Sequence, residues 1–190
     1  MARLRALFSP GVLTRRSHGR PRERRPAPDA DPGRRAVERL VATGADRARL
    51  NLAVADFSRL AEVRAMARSV AEAHPALDVL VNNATVAAPE HRILTPDGNE
   101  LAFQVNFLAG PLRARPESRV VNVSSSMHRT ASIAWNDLSR AHRYSRHAVY
   151  AQSQLALTVF VRAASLTKAP YTAVSVHPHL RDGAAVAVRP

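Results

Sequence analysis

Two hydroxyl-bearing side chains stand out by where they fall in the chain. Ser125 sits in the run Ser124-Ser125-Ser126 just past an apolar stretch, Arg119–Val123, and Tyr150 begins an alanine-rich stretch downstream. Gln154 follows Tyr150 by four residues, so a helix there places both on one face. Asp56, Asn82-Asn83-Ala84 and His177-Pro178 each follow a similar short apolar run. In parallel α/β sheets the carboxyl ends of the strands hold ligands, which makes these junctions the candidate site. Singly, each residue has an ordinary explanation: a helical tyrosine packs half-buried, and a serine run ends a strand in a turn. A tyrosine with an unperturbed pKa of about 10 is also a poor base at neutral pH without a cation beside it.

The elements that must position these residues follow from periodicity and punctuation. Asp31 is placed as N-cap and Pro32 as first residue of a helix reaching Val41, with Gly44 just past its end. Leu50–Ala55 reads as a short strand. Ser58–Ala73 reads as a helix with Leu60, Val63, Ala67 and Val70 on one face. Leu77–Val81 is a second strand, nearly continuous in apolar character. Gly98–Leu112 is weakly helical and stops at Pro111. Arg119–Val123 is a third strand, followed by a long loop containing Trp135. A helix over His147–Thr167, ended by Pro170, and a strand over Tyr171–Val176, stopped by Pro178, complete the series. Strands alternating with helices predict an α/β fold with a parallel sheet.

Composition narrows the function classes. The chain has 190 residues, 46% hydrophobic and 23% charged, which suits one soluble domain. No apolar run approaches a membrane span, so no membrane partner is expected and the expected location is cytoplasmic. Without cysteine, disulfides, thiolate metal sites and cysteine nucleophiles are excluded, and no metal site is expected. The net charge is +13, and Lys168 is the only lysine among 28 basic residues. That skew toward arginine, with abundant alanine, reads as coding bias, and nucleic acid is not an expected partner. Residues 1–30 form a basic, proline-rich arm with Gly11 and Gly19 isolated. A disordered arm is the preferred reading, with a targeting peptide and a polyanion-binding arm as equal alternatives.

Four segments in order carry a family resemblance: Asp78-Val-Leu-Val-Asn-Asn-Ala84, Val105-Asn106, Arg119-Val-Val-Asn-Val-Ser-Ser125 and Tyr150-Ala-Gln-Ser-Gln-Leu-Ala156. They resemble successive motifs of the short-chain dehydrogenase/reductase family. The long loop with Asp137-Leu138 and Tyr144-Ser145 is similar to its retinol-dehydrogenase-like branch. The resemblance covers about residues 31–183. It implies an NAD(P)-dependent oxidoreductase acting on a small alcohol or carbonyl compound, with NAD or NADP as cofactor. Tyr150 would exchange a proton with the substrate oxygen, Ser125 would polarise that oxygen, and Asn106 would hold a proton-relay water. Asp56 would meet the adenine amino group, and Asn83 would stand beside the cofactor ribose.

This chain departs from that pattern. Gln154 stands where the family has the lysine that holds the nicotinamide ribose and stabilises tyrosinate, so it would contact the cofactor without charge. Lys168 is too far along the helix to replace it. No glycine-rich phosphate loop is spelled in residues 1–30, Thr85 replaces a glycine after Asn-Asn-Ala, and His179 replaces one after Pro178. The helix after Asn106 is short. The fold expected is therefore an incomplete Rossmann-like, doubly wound parallel sheet lacking the first two strands and the last. It occupies residues 31–190, and its Asp78–Val81 strand is an open edge. The expected activity is weak or lost. The alternatives are a non-catalytic remnant or interaction module, and polyanion binding through the arginine arm.

Overall fold

The computed structural model describes residues 32–74, 77–109, 118–178 and 185–188. The basic arm over residues 1–30, the Asp31 cap and His179 lie outside the described residues.

Three parallel strands form the centre: β1 (Val79–Asn82), β2 (Arg119–Val123) and β3 (Thr172–Pro178). Their register aligns Leu80, Val120 and Ala173 in one row and Asn82, Asn122 and Ser175 in another. Side chains alternate along strands, so these two rows share one face. On that face lies the longest helix, α4 (Arg146–Leu166). Val120 and Ala173 pack there with Val161 and Ala164, and Phe160, Ala169 and Tyr171 border them. Small residues let polar groups reach across: Asn122 Nδ2 donates to the Leu157 carbonyl at 3.3 Å and Ser124 Oγ to the Gln154 carbonyl at 3.0 Å. The opposite face, carrying Val81, Val121, Val123, Val174 and Val176, is only partly covered.

A fourth strand, β4 (Ala185–Val188), pairs antiparallel with β3 and gives the order β1-β2-β3-β4. Two expectations change here. β3 is not stopped before Pro178, which pairs with Ala185, because a proline at a strand end leaves no interior ladder bond unmade. The sheet edge beyond β3 is taken by a strand that doubles back, a pairing that needs only a short connection. The parallel last strand of a complete fold is not among the described residues. Among the described residues, no strand pairs with the other side of β1.

Toward the N-terminus, α1 (Pro32–Ala42) ends with Gly44 at φ +97°, the left-handed cap expected there. α2 (Leu60–Ala73) starts two residues later than its expected Ser58, because Asp56 Oδ1 holds the Ser58 amide and hydroxyl in a turn. The Leu60 amide is received from afar by Asp97 Oδ2 at 2.8 Å. The expected strand Leu50–Ala55 does not form. After a 3-10 turn at Arg47–Arg49 this segment is irregular, with Val54 69% exposed. No described strand lies beside it, and an isolated β-run has no ladder to stabilise it.

The weak helix expected over Gly98–Leu112 is one short turn, α3 (Leu101–Phe103), that widens into a π-turn over Gln104–Leu108. Glu100 caps it, its Oε2 receiving the Phe103 amide at 2.7 Å. Residues 110–117 lie outside the described residues. Among the described residues, no helix is long and apolar enough to cross a membrane.

Candidate functional site

The candidate residues divide into two groups. The carboxyl end of β2, the π-turn and the first turns of α4 converge. Asn106, buried in the π-turn, receives the Val86 amide on Oδ1 at 2.7 Å and donates Nδ2 to the Val86 carbonyl at 3.1 Å and Ser153 Oγ at 3.0 Å. Ser153 Oγ in turn donates to the Tyr150 carbonyl at 2.7 Å. π-turns recur at functional sites because the extra residue re-aims the helix. Here it brings Asn106 against α4, but its amide is committed to protein partners, which makes it a clamp on the Val86 backbone.

Ser125 follows β2 and caps a 3-10 turn, Ser126–Thr130, its Oγ receiving the Met127 amide at 3.3 Å. His128 Nδ1 lies 2.6 Å from the Ser125 carbonyl, so that nitrogen carries the proton, and the His128 and His177 rings sit 5.4 Å apart. Tyr150 is half-buried and packs beside Ala88, Ala102 and Val149, with Val86 and Tyr144 as neighbours. The Tyr144 hydroxyl donates to the Pro89 carbonyl at 2.7 Å, and burial pushes this phenol's pKa upward.

Gln154 is 1% exposed, and its Nε2 has no hydrogen-bond partner among the described residues. The expectation that it faces a ribose meets a burial that closes it off. The helix turn carrying it is pinned by Ser124 to the end of β2, beneath the 3-10 turn that packs on α4.

Asp56 and Asn83 form the second group. Asp56 is the cap of the turn before α2 and lies 3.7 Å from Arg59, and its own amide donates to Glu62 Oε2. Asn83 lies exposed just past the end of β1.

Several residues that hold the site were not singled out from sequence. Gln104 is fully buried. Its Oε1 receives Thr95 Oγ1 and Asn99 Nδ2, and its Nε2 donates to Asp97 Oδ2 and the Phe57 carbonyl. The Leu60 amide, with Gln104 behind it, holds the Asp97 carboxyl below its usual range. Glu100, also fully buried, has its pKa raised by burial, with Oε1 unbonded among the described residues. Ser153, three residues after Tyr150, had a helical-spacing signal; Gln104 and Glu100 had none.

Fold and site together define a partial Rossmann-like α/β protein. No family model matches the chain. Over 135 residues it is 34% identical to retinol dehydrogenase 13 of Mus musculus, covering 65% of this chain and 40% of that protein. Polyprenol dehydrogenase of Mus musculus is 40% identical over 130 residues, covering 62% of this chain and 38% of that one. A crystal structure of an uncharacterised protein of Mycobacterium paratuberculosis matches with TM-score 0.61 at 31% identity, over 77% of this chain and 56% of that one. A metagenomic short-chain oxidoreductase in complex with NADP shares the fold, with TM-score 0.55 at 23% identity over 76% of this chain and 65% of that one. The chain is thus similar to retinol dehydrogenases and a polyprenol dehydrogenase, and it shares the fold of short-chain dehydrogenases/reductases. It spans about two fifths of the length of the curated relatives it matches.

The residues present do not fit a nicotinamide dinucleotide. The side chain at the ribose position is neutral and enclosed, and the acid at the adenine position is occupied in capping a turn.

Proposed function

We propose that this chain is an alcohol/carbonyl oxidoreductase by descent whose cofactor-holding residues have been lost, so that it turns substrate over weakly or not at all. The observation that carries this reading is Gln154, buried, uncharged and with an unpartnered Nε2 among the described residues, where the family places a lysine. A neighbouring cation lowers a phenol's pKa by about 2–3 units, so its loss withdraws roughly 3–4 kcal/mol and a hundredfold or more in rate. Tyr150, Ser125 and Asn106 keep the sequence order of a proton-handling set, but here Asn106 serves the backbone of Val86. The substrate class to test, from the relatives' names, is a lipophilic alcohol.

The test is to incubate the purified chain with NADP or NAD and a lipophilic alcohol, follow formation of the reduced cofactor, and titrate NADPH in parallel. No measurable turnover and no saturable NADPH binding at micromolar concentration are expected, and Gln154→Lys alone does not restore activity. Robust turnover abolished by Tyr150→Phe would refute the proposal. A second reading, an interaction module, is favoured by β1, which among the described residues has a strand on one side only and so offers an edge for pairing.

A further inference from the structure

The backbone of β1 is matched to a described strand on one side only. The Asp78 carbonyl receives the Arg119 amide of β2 at 2.9 Å. Along a parallel ladder successive residues turn their backbone groups to alternate sides. Leu80 and Asn82 therefore share the β2 side, whereas the N–H and C=O groups of Val79 and Val81 point away from it. No described strand meets them there. Sheet edges are ordinarily guarded by a charge within the strand, a proline or a bulge. Val79–Asn82 has none of these: it reads Val, Leu, Val, Asn, and its register with β2 runs unbroken.

The side chains on this edge are uncovered as well. Val81 is 40% exposed and shares the partly covered sheet face with Val121, Val123, Val174 and Val176. The outward residues Val79 and Val81 are followed two residues on by Asn83, so the pattern is symmetric about Val81. A twofold axis demands that symmetry, and a foreign strand does not. In antiparallel register about Val81, Val81 meets Val81 of a second copy and Val79 meets its Asn83, which gives the outward N–H and C=O groups partners. Directly opposed side chains lie on the same face, so the two valine faces join with the Val81 pair at the seam. The two α4 helices, which pack over β2 and β3, then lie together on the other face.

Charge selects the antiparallel arrangement. Asp78, the acid at the start of β1, is exposed. In-register parallel pairing would set two such carboxylates on strands about 5 Å apart. The antiparallel register separates them by about 20 Å along the seam, well beyond the screening length of about 8 Å at physiological salt.

We infer that this chain forms a twofold dimer by pairing β1 with β1 of a second copy, antiparallel about Val81. The inference rests on the interaction-module reading above and names its partner. The interface is self-complementary and closed, so assembly through it stops at two copies.

Sedimentation equilibrium of the full chain is expected to show monomer and dimer in exchange. Val81→Lys sets two ammonium groups against each other at the seam and weakens the dimer at least tenfold, with unchanged far-ultraviolet circular dichroism. Val81→Glu does the same with two carboxylates. Mixing the two variants restores a dimer, because opposite charges then face each other across the strands, and an interface elsewhere would not respond in this way. In hydrogen exchange, the Val79 and Val81 amides slow as the parent's concentration rises. Dimerisation indifferent to both substitutions would overturn the inference, and so would a parent chain that stays monomeric at every concentration. In that monomeric case the same two amides separate the inference from the reading beneath it. Free exchange would leave the edge open to another protein, so the interaction-module reading would stand. Protection would mean that the chain's own backbone fills the edge, and that reading would fall too.

Discussion

Residues 86–177 and residues 32–74 obey the same chemistry and reach opposite outcomes. In the first region polar side chains are buried and nearly all bonded: Asn106, Gln104 and Gln152 each make three or more hydrogen bonds across distant segments. In the second, apolar residues that should be strand, Leu52 and Val54, face water, and α2 buries only Val63. The difference lies in neighbours. β2 has a partner on both sides, and α4 covers one face of the sheet. Leu50–Ala55 has no described strand beside it, and its β-propensity has nothing to act on. Propensity supplies a preference worth tenths of a kcal/mol, and partners decide whether it is realised.

That contrast can be broken most directly at Asn106. Asn106→Ala leaves the Val86 amide and carbonyl unpaired, and unfolding free energy in urea is expected to fall by about 2–4 kcal/mol. A change under about 0.5 kcal/mol would show that the buried network does not distinguish the two regions.

Glu100 sharpens the comparison by pH. Burial raises its carboxyl pKa, so the protonated form suits the folded state, and stability declines as pH rises from the usual carboxylate range through the raised value. Asp97 and Asp137 act in the other direction. Their lowered values give stability that is present above the usual carboxylate pKa and lost as pH falls through the folded ones. Glu100→Gln keeps an acceptor for the Phe103 amide and removes the buried charge. Its melting temperature is expected to exceed the parent's by a few degrees on the alkaline side and to match it in acid. Parallel melting curves for the two proteins across the whole pH range would contradict this.

The smallest effect is expected in the N-terminal region. Val54→Thr, an exposed change of nearly equal volume, should alter stability by no more than about 0.5 kcal/mol in urea unfolding. A loss above about 1 kcal/mol would mean that the segment is packed and the contrast is overdrawn.

Much of the fold was legible without coordinates. Arg119–Val123 as a strand, the Tyr150 helix and the Gly44 cap followed from period, breakers and glycine, which are local properties. The convergence of the Ser125, Asn106 and Tyr150 segments was legible through motif order. Three of the failures share one cause. Leu50–Ala55, the extension of β3 through Pro178 and the antiparallel β4 depend on which strand lies alongside, and no local pattern states that.

The sequence by itself determined that Gln154 brings no charge beside Tyr150, because that is a matter of residue type and a spacing of four. Only the tertiary structure decided that this glutamine is sealed from solvent, that Asn106 holds a backbone segment and that Trp135 is exposed. Burial and hydrogen-bond partners are set by segments tens of residues away, through the packing of α4 against the sheet and the loop.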